Sequence, residues 1–354
     1  MSRQVNRRQL LKLAAASAAA LATAGPGQVA AEVAGAGMVC TLLDLAKCVG
    51  CEECVNACQE QWQKTVPDPV EPIPKPFPDR VPIEDFSKRK DITDRLTPYN
   101  FLYVEHLEFK YKGNDTELHI PRRCMHCLNP PCADLCPFGA CRQEANGVVH
   151  IASDICMGGA KCRKVCPWHI PQRQSGVGLY LKIMPRYAGN GAMFKCHRCL
   201  PLLEQGKKPR CVEVCPEGVQ QIGPRREMVA KAVALAKARA KADCGDEGRW
   251  REYIYGLTEN GGTNTLYVSP IPFKVVNKVL MAEHKKLIKQ ENAEALAAGR
   301  RPERGPHGRP HMGPVGDVMD HVKWVSWLVV AAPVAGLIAG LSARNKTGGS
   351  NNER

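Results

Sequence analysis

The chain has 354 residues, 44% of them hydrophobic, and a formal net charge of +14. That is enough apolar material for one large domain or two smaller ones, and the basic balance suits an anionic membrane, an acidic protein partner, nucleic acid or simply a solvated basic surface. Cysteine is the anomaly at 18 residues. An even count raises a secreted disulfide framework, but such scaffolds disperse their cysteines along short chains, and most of these fall in four clumps, 48–58, 124–141, 156–166 and 196–215.

Residues 1–37 read as an export leader. Asn6-Arg7-Arg8-Gln9-Leu10-Leu11-Lys12 matches the twin-arginine pattern, an Ala-rich run follows from Leu13 to Ala24, and Gly25-Pro26-Gly27 precedes small residues suited to cleavage. This route exports folded proteins, which suits a cofactor assembled among reduced thiols in the cytoplasm. Cys40 stands alone and reads as a small buried apolar residue.

The first run is Cys48-x2-Cys51-x2-Cys54-x3-Cys58, the bacterial ferredoxin spacing without its final proline. Residues 62–100 form a proline-rich insertion (Pro67, Pro69, Pro72, Pro74, Pro76, Pro78, Pro82) with no hydrophobic period, expected to wrap the surface as a partner contact or plain loop. Phe101–Phe109 has strand composition, and Glu117–Ile120 is expected to return beside it across Gly113-Asn114-Asp115.

The second run is Cys124-x2-Cys127-x4-Cys132-x3-Cys136-Pro137 and the third Cys156-x5-Cys162-x3-Cys166-Pro167, with a short strand expected over Gly147–Ile151 between them. An iron–sulfur cube needs four converging thiolates. A tight loop delivers three, and the last cysteine of each run reaches the partner run's cluster, as in two-cluster ferredoxins. The fourth run is Cys196-x2-Cys199-x11-Cys211-x3-Cys215-Pro216. Alone it would suit structural zinc; beside three ferredoxin-type runs it reads as a cluster loop. No Cys-x-x-Cys-His motif indicates covalent haem.

Arg225–Ala242 reads as an exposed helix, Cys244 stands alone, Thr265–Val268 as a strand and Val275–Ala298 as a second polar helix. Residues 300–323 are expected to form a linker, with His307 and His311 solvated. Trp324–Ala343 contains no charged residue and is long enough to cross a bilayer. Trp324 and Trp327 suit one interface, and Arg344 and Lys346 place the 344–354 tail in the cytoplasm and the cysteine domain outside. These addressing signals argue against nucleic acid as a partner.

Four cysteine runs in this order resemble the four-cluster ferredoxin-like subunits of the dimethyl sulfoxide reductase and formate dehydrogenase superfamily, over roughly Met38–Phe273. The leader, Cys211-Val-Glu-Val-Cys215-Pro216, Tyr255-Gly256, Gly261-Gly262-Thr263, Pro270-Ile-Pro-Phe273 and one C-terminal anchor look like the electron-transfer subunit of hydrogenase-2-type membrane hydrogenases and of the high-molecular-weight cytochrome complex of sulfate reducers. The resemblance implies an α+β fold of tandem ferredoxin-like [4Fe-4S] modules over 38–223, a helical extension 224–299 and a transmembrane helix 324–343. It pairs the first run with the fourth and the second with the third. One cluster takes Cys48, Cys51, Cys54 and Cys215, a second Cys196, Cys199, Cys211 and Cys58, and a third Cys124, Cys127, Cys132 and Cys166. The fourth takes Cys156, Cys162 and Cys136, with Gly159 where the last ligand belongs. That site is expected to hold a [3Fe-4S] cluster; Cys141, water or another side chain are the competing ways to fill the corner.

The expected function is a wire without a substrate site of its own. It would lie at the periplasmic face of the membrane and relay electrons between a hydrogenase-like catalytic subunit and a quinone-reactive membrane subunit or multihaem cytochrome c. The alternative is the matching subunit of a formate dehydrogenase or of a polysulfide- or tetrathionate-type reductase. Arg122, Arg123, Lys161, Arg163, Lys164, Lys195 and Arg198 are expected to dock acidic partners, to stabilise anionic clusters, or to be ordinary surface charge.

Overall fold

The computed structural model describes residues 37–78, 81–299, 302 and 306–320. The expected leader up to residue 36, the apolar segment 324–343 and the tail lie outside them. Among the described residues no helix is long and apolar enough to cross a membrane.

The fold mixes helix and strand as expected. Its strands are β1 (Val39–Asp44), β2 (Tyr103–Tyr111), β3 (Asn114–Arg122), β4 (Cys141–Gln143), β5 (Val149–Ile151), β6 (Gln172–Gln174), β7 (Ala192–Phe194), β8 (Gln220–Pro224), β9 (Ile254–Tyr255) and β10 (Thr265–Val268). β1 enters the first cysteine run and β8 leaves the fourth, and the two pair antiparallel from Val39↔Pro224 to Leu43↔Gln220. β4 leaves the second run and β5 enters the third, paired at Cys141↔Ile151. Strand pairing therefore nests the middle runs inside the outer two and joins first to fourth and second to third.

β2 and β3 pair antiparallel from Tyr103↔Arg122 to Tyr111↔Asn114. The turn is Lys112-Gly113, both at positive φ (50° and 87°), as a two-residue type I′ hairpin requires. It falls earlier than the expected Gly113-Asn114-Asp115, because Lys112 accepts the left-handed conformation.

The main sheet has the order β8-β1-β10-β9. β1 is parallel to β10, with Thr41 opposite Thr265, so the boundary expected at residue 224 does not separate two bodies: the extension supplies two strands of the sheet. Cys40 and Leu42 face the helix Arg225–Cys244 and its buried Met228, Ala232, Ala236 and Ala240. Alanines four apart form one stripe and let the helix lie close on the strands. The helix is thus half-buried rather than exposed, and Cys40 is the buried apolar residue its isolation suggested. The helix Phe273–Ala297 likewise buries Phe273, Val276, Leu280 and His284; His284 Nε2 lies 3.0 Å from the Glu105 carboxylate, which also accepts from Tyr103 Oη at 2.7 Å.

The insertion begins with the end of the helix Glu53–Trp62 and a 3-10 turn, Gln63–Thr65. No helix or strand follows as far as residue 100 among the described residues. The segment wraps as expected yet buries Val66, Phe86, Leu96 and Tyr99. Glu84 bridges Arg163 and Arg173 at 2.6–2.7 Å, and Phe86 N–H donates to Gln174 Oε1 at 2.9 Å.

The linker reading fails for residues 306–320, which form a strap folded back on the domain. His307, Arg309, Met312 and Met319 are buried. Arg122 Nη2 donates to the carbonyls of Pro310 and His311 at 2.7 and 2.9 Å, and Tyr255 Oη to that of Gly313 at 2.9 Å. Composition suggested a free segment because the partners of its backbone lie far away in sequence. Glu291 anchors the strap, facing Arg95, His307 and Arg309, each at 2.8 Å. Burial would raise its carboxyl, but the His307 hydrogen bond and the two guanidinium groups outweigh it and hold it at about 2. A depressed carboxylate contributes stability above its ordinary value near 4.5 and loses it as pH falls toward 2. Glu291→Ala is therefore expected to accelerate backbone amide hydrogen exchange over residues 307–313 at least about tenfold, read by mass spectrometry. Exchange at the wild-type rate would mean that the strap is held without Glu291.

Candidate metal centre

The loops repeat one backbone device. The residue before the second position of each run lies at positive φ: Gly50 (70°), His126 (48°), Gly158 (62°) and Arg198 (52°). Cys51, Cys127, Gly159 and Cys199 follow, so Gly159 stands at the backbone position that carries a cysteine in the other three runs. A Cβ at Gly158 would collide with the carbonyl oxygens of Asn190 (2.1 Å) and Gly191 (2.4 Å), whereas at Gly159 it would meet nothing within 4 Å.

The exits also repeat. Gly139, His169 and Gly218 donate their N–H to the carbonyls of Cys136, Cys166 and Cys215 at 3.2, 3.0 and 3.3 Å. Pro137, Pro167 and Pro216 each occupy the second turn position, whose φ proline presets. Cys58 has no following proline because it sits inside the helix Glu53–Trp62, which proline would break.

Two cavities are lined by complete expected ligand sets. One carries Cys48, Cys51, Cys54 and Cys215; the other carries Cys58, Cys196, Cys199 and Cys211, with Trp62, Arg123 and His197. Cys127 faces Cys166, Cys132 and Cys124; burial first, then those neighbours, push its thiol well up. Cys156 and Cys136 face one another, and Cys162 faces both. The four sets adjoin in series: Cys54 beside Cys211, Cys196 beside Cys124, and Cys162 beside Cys132. The first set opens outward at exposed Cys51 and Val49, the fourth at exposed Gly159 and Ile155.

The site fits iron–sulfur clusters. Among the described residues no three Cys, His, Asp or Glu side chains close on a single ion; the sulfurs of the first two sets line wider cavities. Arg123 Nη2, Gln220 Nε2, His197 Nδ1 and Asn260 Nδ2 are buried without a protein partner, and the first three belong to residues lining the two cavities. Polar atoms left open beside thiolates suit an anionic, sulfur-rich occupant. Burial, the largest cause, and facing thiolates lift Cys166 and Cys199 to about 12; metal coordination would make such buried sulfurs anionic.

The seven basic residues divide. Lys161 and Lys164 are exposed and Arg163 is spent on Glu84. Arg122, Arg123, Lys195 and Arg198 are buried. Arg123 Nη1 donates to Cys211 Sγ at 2.9 Å and Lys195 Nζ to Cys124 Sγ at 3.5 Å. Arg198 instead donates to the Val39 and Asn264 carbonyls, both at 2.7 Å. Cys141 hydrogen-bonds Cys132 through its thiol and gives its backbone N–H to Cys136 Sγ at 3.4 Å. Its sulfur is thus turned toward the third set.

Two contacts were not legible beforehand. Trp62 Nε1 donates to Cys199 Sγ at 3.1 Å. His126 accepts from Val149 N–H at 3.0 Å through Nδ1, with Nε2 3.9 Å from Cys196 Sγ; burial, then the cations around it, push its pKa well down. The only sequence signal for His126 was its place inside Cys-x-x-Cys, and for Trp62 its place four residues after Cys58.

Family models described as 4Fe-4S dicluster domains match residues 47–140 and 116–225. The chain is 30% identical over 302 residues to the hydrogenase-2 operon protein HybA of Escherichia coli O157:H7, covering 76% of this chain and 82% of that protein. It is 30% identical over 274 residues to a protein of Nitratidesulfovibrio vulgaris, covering 76% of this chain but 65% of that protein, under two thirds of its length. It is 29% identical over 234 residues to the iron–sulfur subunit of the nitrate-inducible formate dehydrogenase of Escherichia coli K12, covering 65% and 67%.

Proposed function

This chain belongs to the family of iron–sulfur electron-transfer proteins that includes HybA, and on that footing we propose that it is a four-cluster wire serving a hydrogenase-like catalytic subunit. The observation that carries the reading is the serial nearness of the four cysteine sets, first to second through Cys54 and Cys211, second to third through Cys196 and Cys124, third to fourth through Cys132 and Cys162. Electrons enter and leave at the exposed ends, beside Cys51 and beside Gly159. The fourth cluster is [3Fe-4S], because Gly159 leaves one iron corner without a thiolate and the Cys141 sulfur points to Cys132. The others are [4Fe-4S], on the ligands named above. The chain has no substrate site of its own.

On the same reading the twin-arginine leader exports the folded, loaded protein. The apolar segment 324–343 anchors it at the periplasmic face, where a quinone-reactive membrane subunit or multihaem cytochrome c is the other partner. The likeness to a formate dehydrogenase subunit keeps a formate dehydrogenase assembly as the second reading; sequencing the co-purifying large subunit separates the two.

The test is EPR on the oxidised, gently purified protein with an iron count on the same sample. Oxidised four-iron clusters of this kind are silent, while an oxidised three-iron cluster is paramagnetic. A near-stoichiometric signal with iron for three cubes and one three-iron site is expected. A silent sample with iron for four cubes would overturn the [3Fe-4S] assignment, and zinc without iron would overturn the wire.

A further inference from the structure

Lys195 is enclosed at the joint between the second and third cysteine sets. It is 6% exposed, immediately precedes Cys196 of the second set, and reaches back to the third. Its Nζ donates to Cys124 Sγ at 3.5 Å, to the Cys196 carbonyl at 3.2 Å and to the Val149 carbonyl. These three acceptors use all the donors an ammonium has. The ligand sulfurs it answers to are those of Cys124, Cys132 and Cys196, with the Cys141 thiol beside them.

The joints differ in what fills them. Between the first and second sets stands Arg123, on Cys211 Sγ and the Gln220 side chain and within reach of Cys54. Between the third and fourth stands the neutral thiol of Cys141. Among the described residues, Lys195 alone holds a compact cation directly on an expected ligand sulfur of the third set while tied to the main chain of the second.

We propose that Lys195 is the fixed cation that sets the reduction potential of the third cluster and thereby the passage of electrons between the two halves of the chain. This deepens the four-cluster reading and rests on it. Reduction adds one electron to an anionic cluster and takes one from a neighbouring cluster, with no bond made or broken. A buried positive charge beside Cys124 favours the reduced state most at the third cluster and less at those farther away. A buried ammonium is screened little by solvent, so its removal is felt strongly.

The experiment is an EPR-monitored redox titration of the iron-loaded full chain as wild type, Lys195→Met, Lys195→Gln and Lys195→Arg. The third cluster is identified by the signal that Cys124→Ser perturbs, and an iron count accompanies every sample. Met and Gln remove the charge, and Gln keeps hydrogen donors for the carbonyls. Both are expected to lower the reduction equilibrium constant of the third cluster at least about tenfold, which is 59 mV for one electron, with smaller shifts elsewhere; Arg is expected to restore most of it. Fully loaded Met and Gln variants with an unmoved third cluster would overturn the assignment. So would loss of that cluster in both neutral variants with the others retained, which would make Lys195 a structural support. A wild-type sample without four clusters would instead overturn the wire on which this rests.

Discussion

Gly159→Cys is expected to remove at least about nine-tenths of the oxidised-state EPR signal and to add one iron per chain, turning the fourth site into a cube. Position 159 lies where the other runs carry Cys51, Cys127 and Cys199, after a residue at positive φ. A new Cβ meets nothing within 4 Å, and the residue is exposed, so the thiol arrives without a clash. Replacing a glycine at compatible backbone angles adds about 0.4–1 kcal/mol of stability through the unfolded chain. The extra thiolate adds negative charge, so the potential of this site falls. The same measurement on Cys141→Ser is expected to leave signal and iron unchanged. If the thiol introduced by Gly159→Cys stayed free and alkylatable beside an undiminished signal, no iron corner would face this position.

Withholding iron during synthesis is expected to abolish the cooperative thermal transition and to open residues 48–216 to proteolysis. Cys54, Cys58, Cys132, Cys141, Cys156, Cys162 and Cys211 are members of the first apolar cluster, packed with Val55, Phe101, Val149 and Phe194. On the proposed reading most of these sulfurs are cluster ligands. A site that does not exist in the unfolded chain turns binding free energy into folding free energy, so without clusters much of the roughly 5–15 kcal/mol of a domain's net stability is lost. Differential scanning calorimetry on iron-free and reconstituted protein checks this. An iron-free sample with a sharp transition near that of the loaded protein would show that the polypeptide alone makes the core.

Much of the centre was legible because the chemistry is written in short spacings. Three positions of a run lie within one loop, so Cys48, Cys51 and Cys54 must converge whatever the rest of the chain does. Cys40 read correctly as buried, and the strands near 103–109, 149–151 and 265–268 followed from composition. The errors fell where distant partners decide. The helix Arg225–Cys244 looked exposed because alanine carries little hydrophobic signal, yet its Ala232–Ala236–Ala240 stripe lies against β1. The 306–320 segment looked like a free linker because its acceptors meet Arg122 and Tyr255 nearly two hundred and about sixty positions earlier.

The basic residues make the same point. Their nearness to the runs was plain, but not which of them face sulfur. Lys195 and Arg123 do, Arg198 binds main-chain carbonyls, and Arg163 is held by a glutamate from the proline-rich wrap.

The loop spacings and the ligand types could be read from the chain alone, since they depend on residues a few positions apart, while a missing ligand at Gly159 was implied by the family resemblance. Folding in three dimensions was needed to pair β1 with β8 and β4 with β5, to bring the four sets into one line, and to set Lys195 at the middle joint. Those facts depend on contacts between segments far apart in the chain, and burial there turns an ordinary lysine into a charge that neither solvent nor salt screens away.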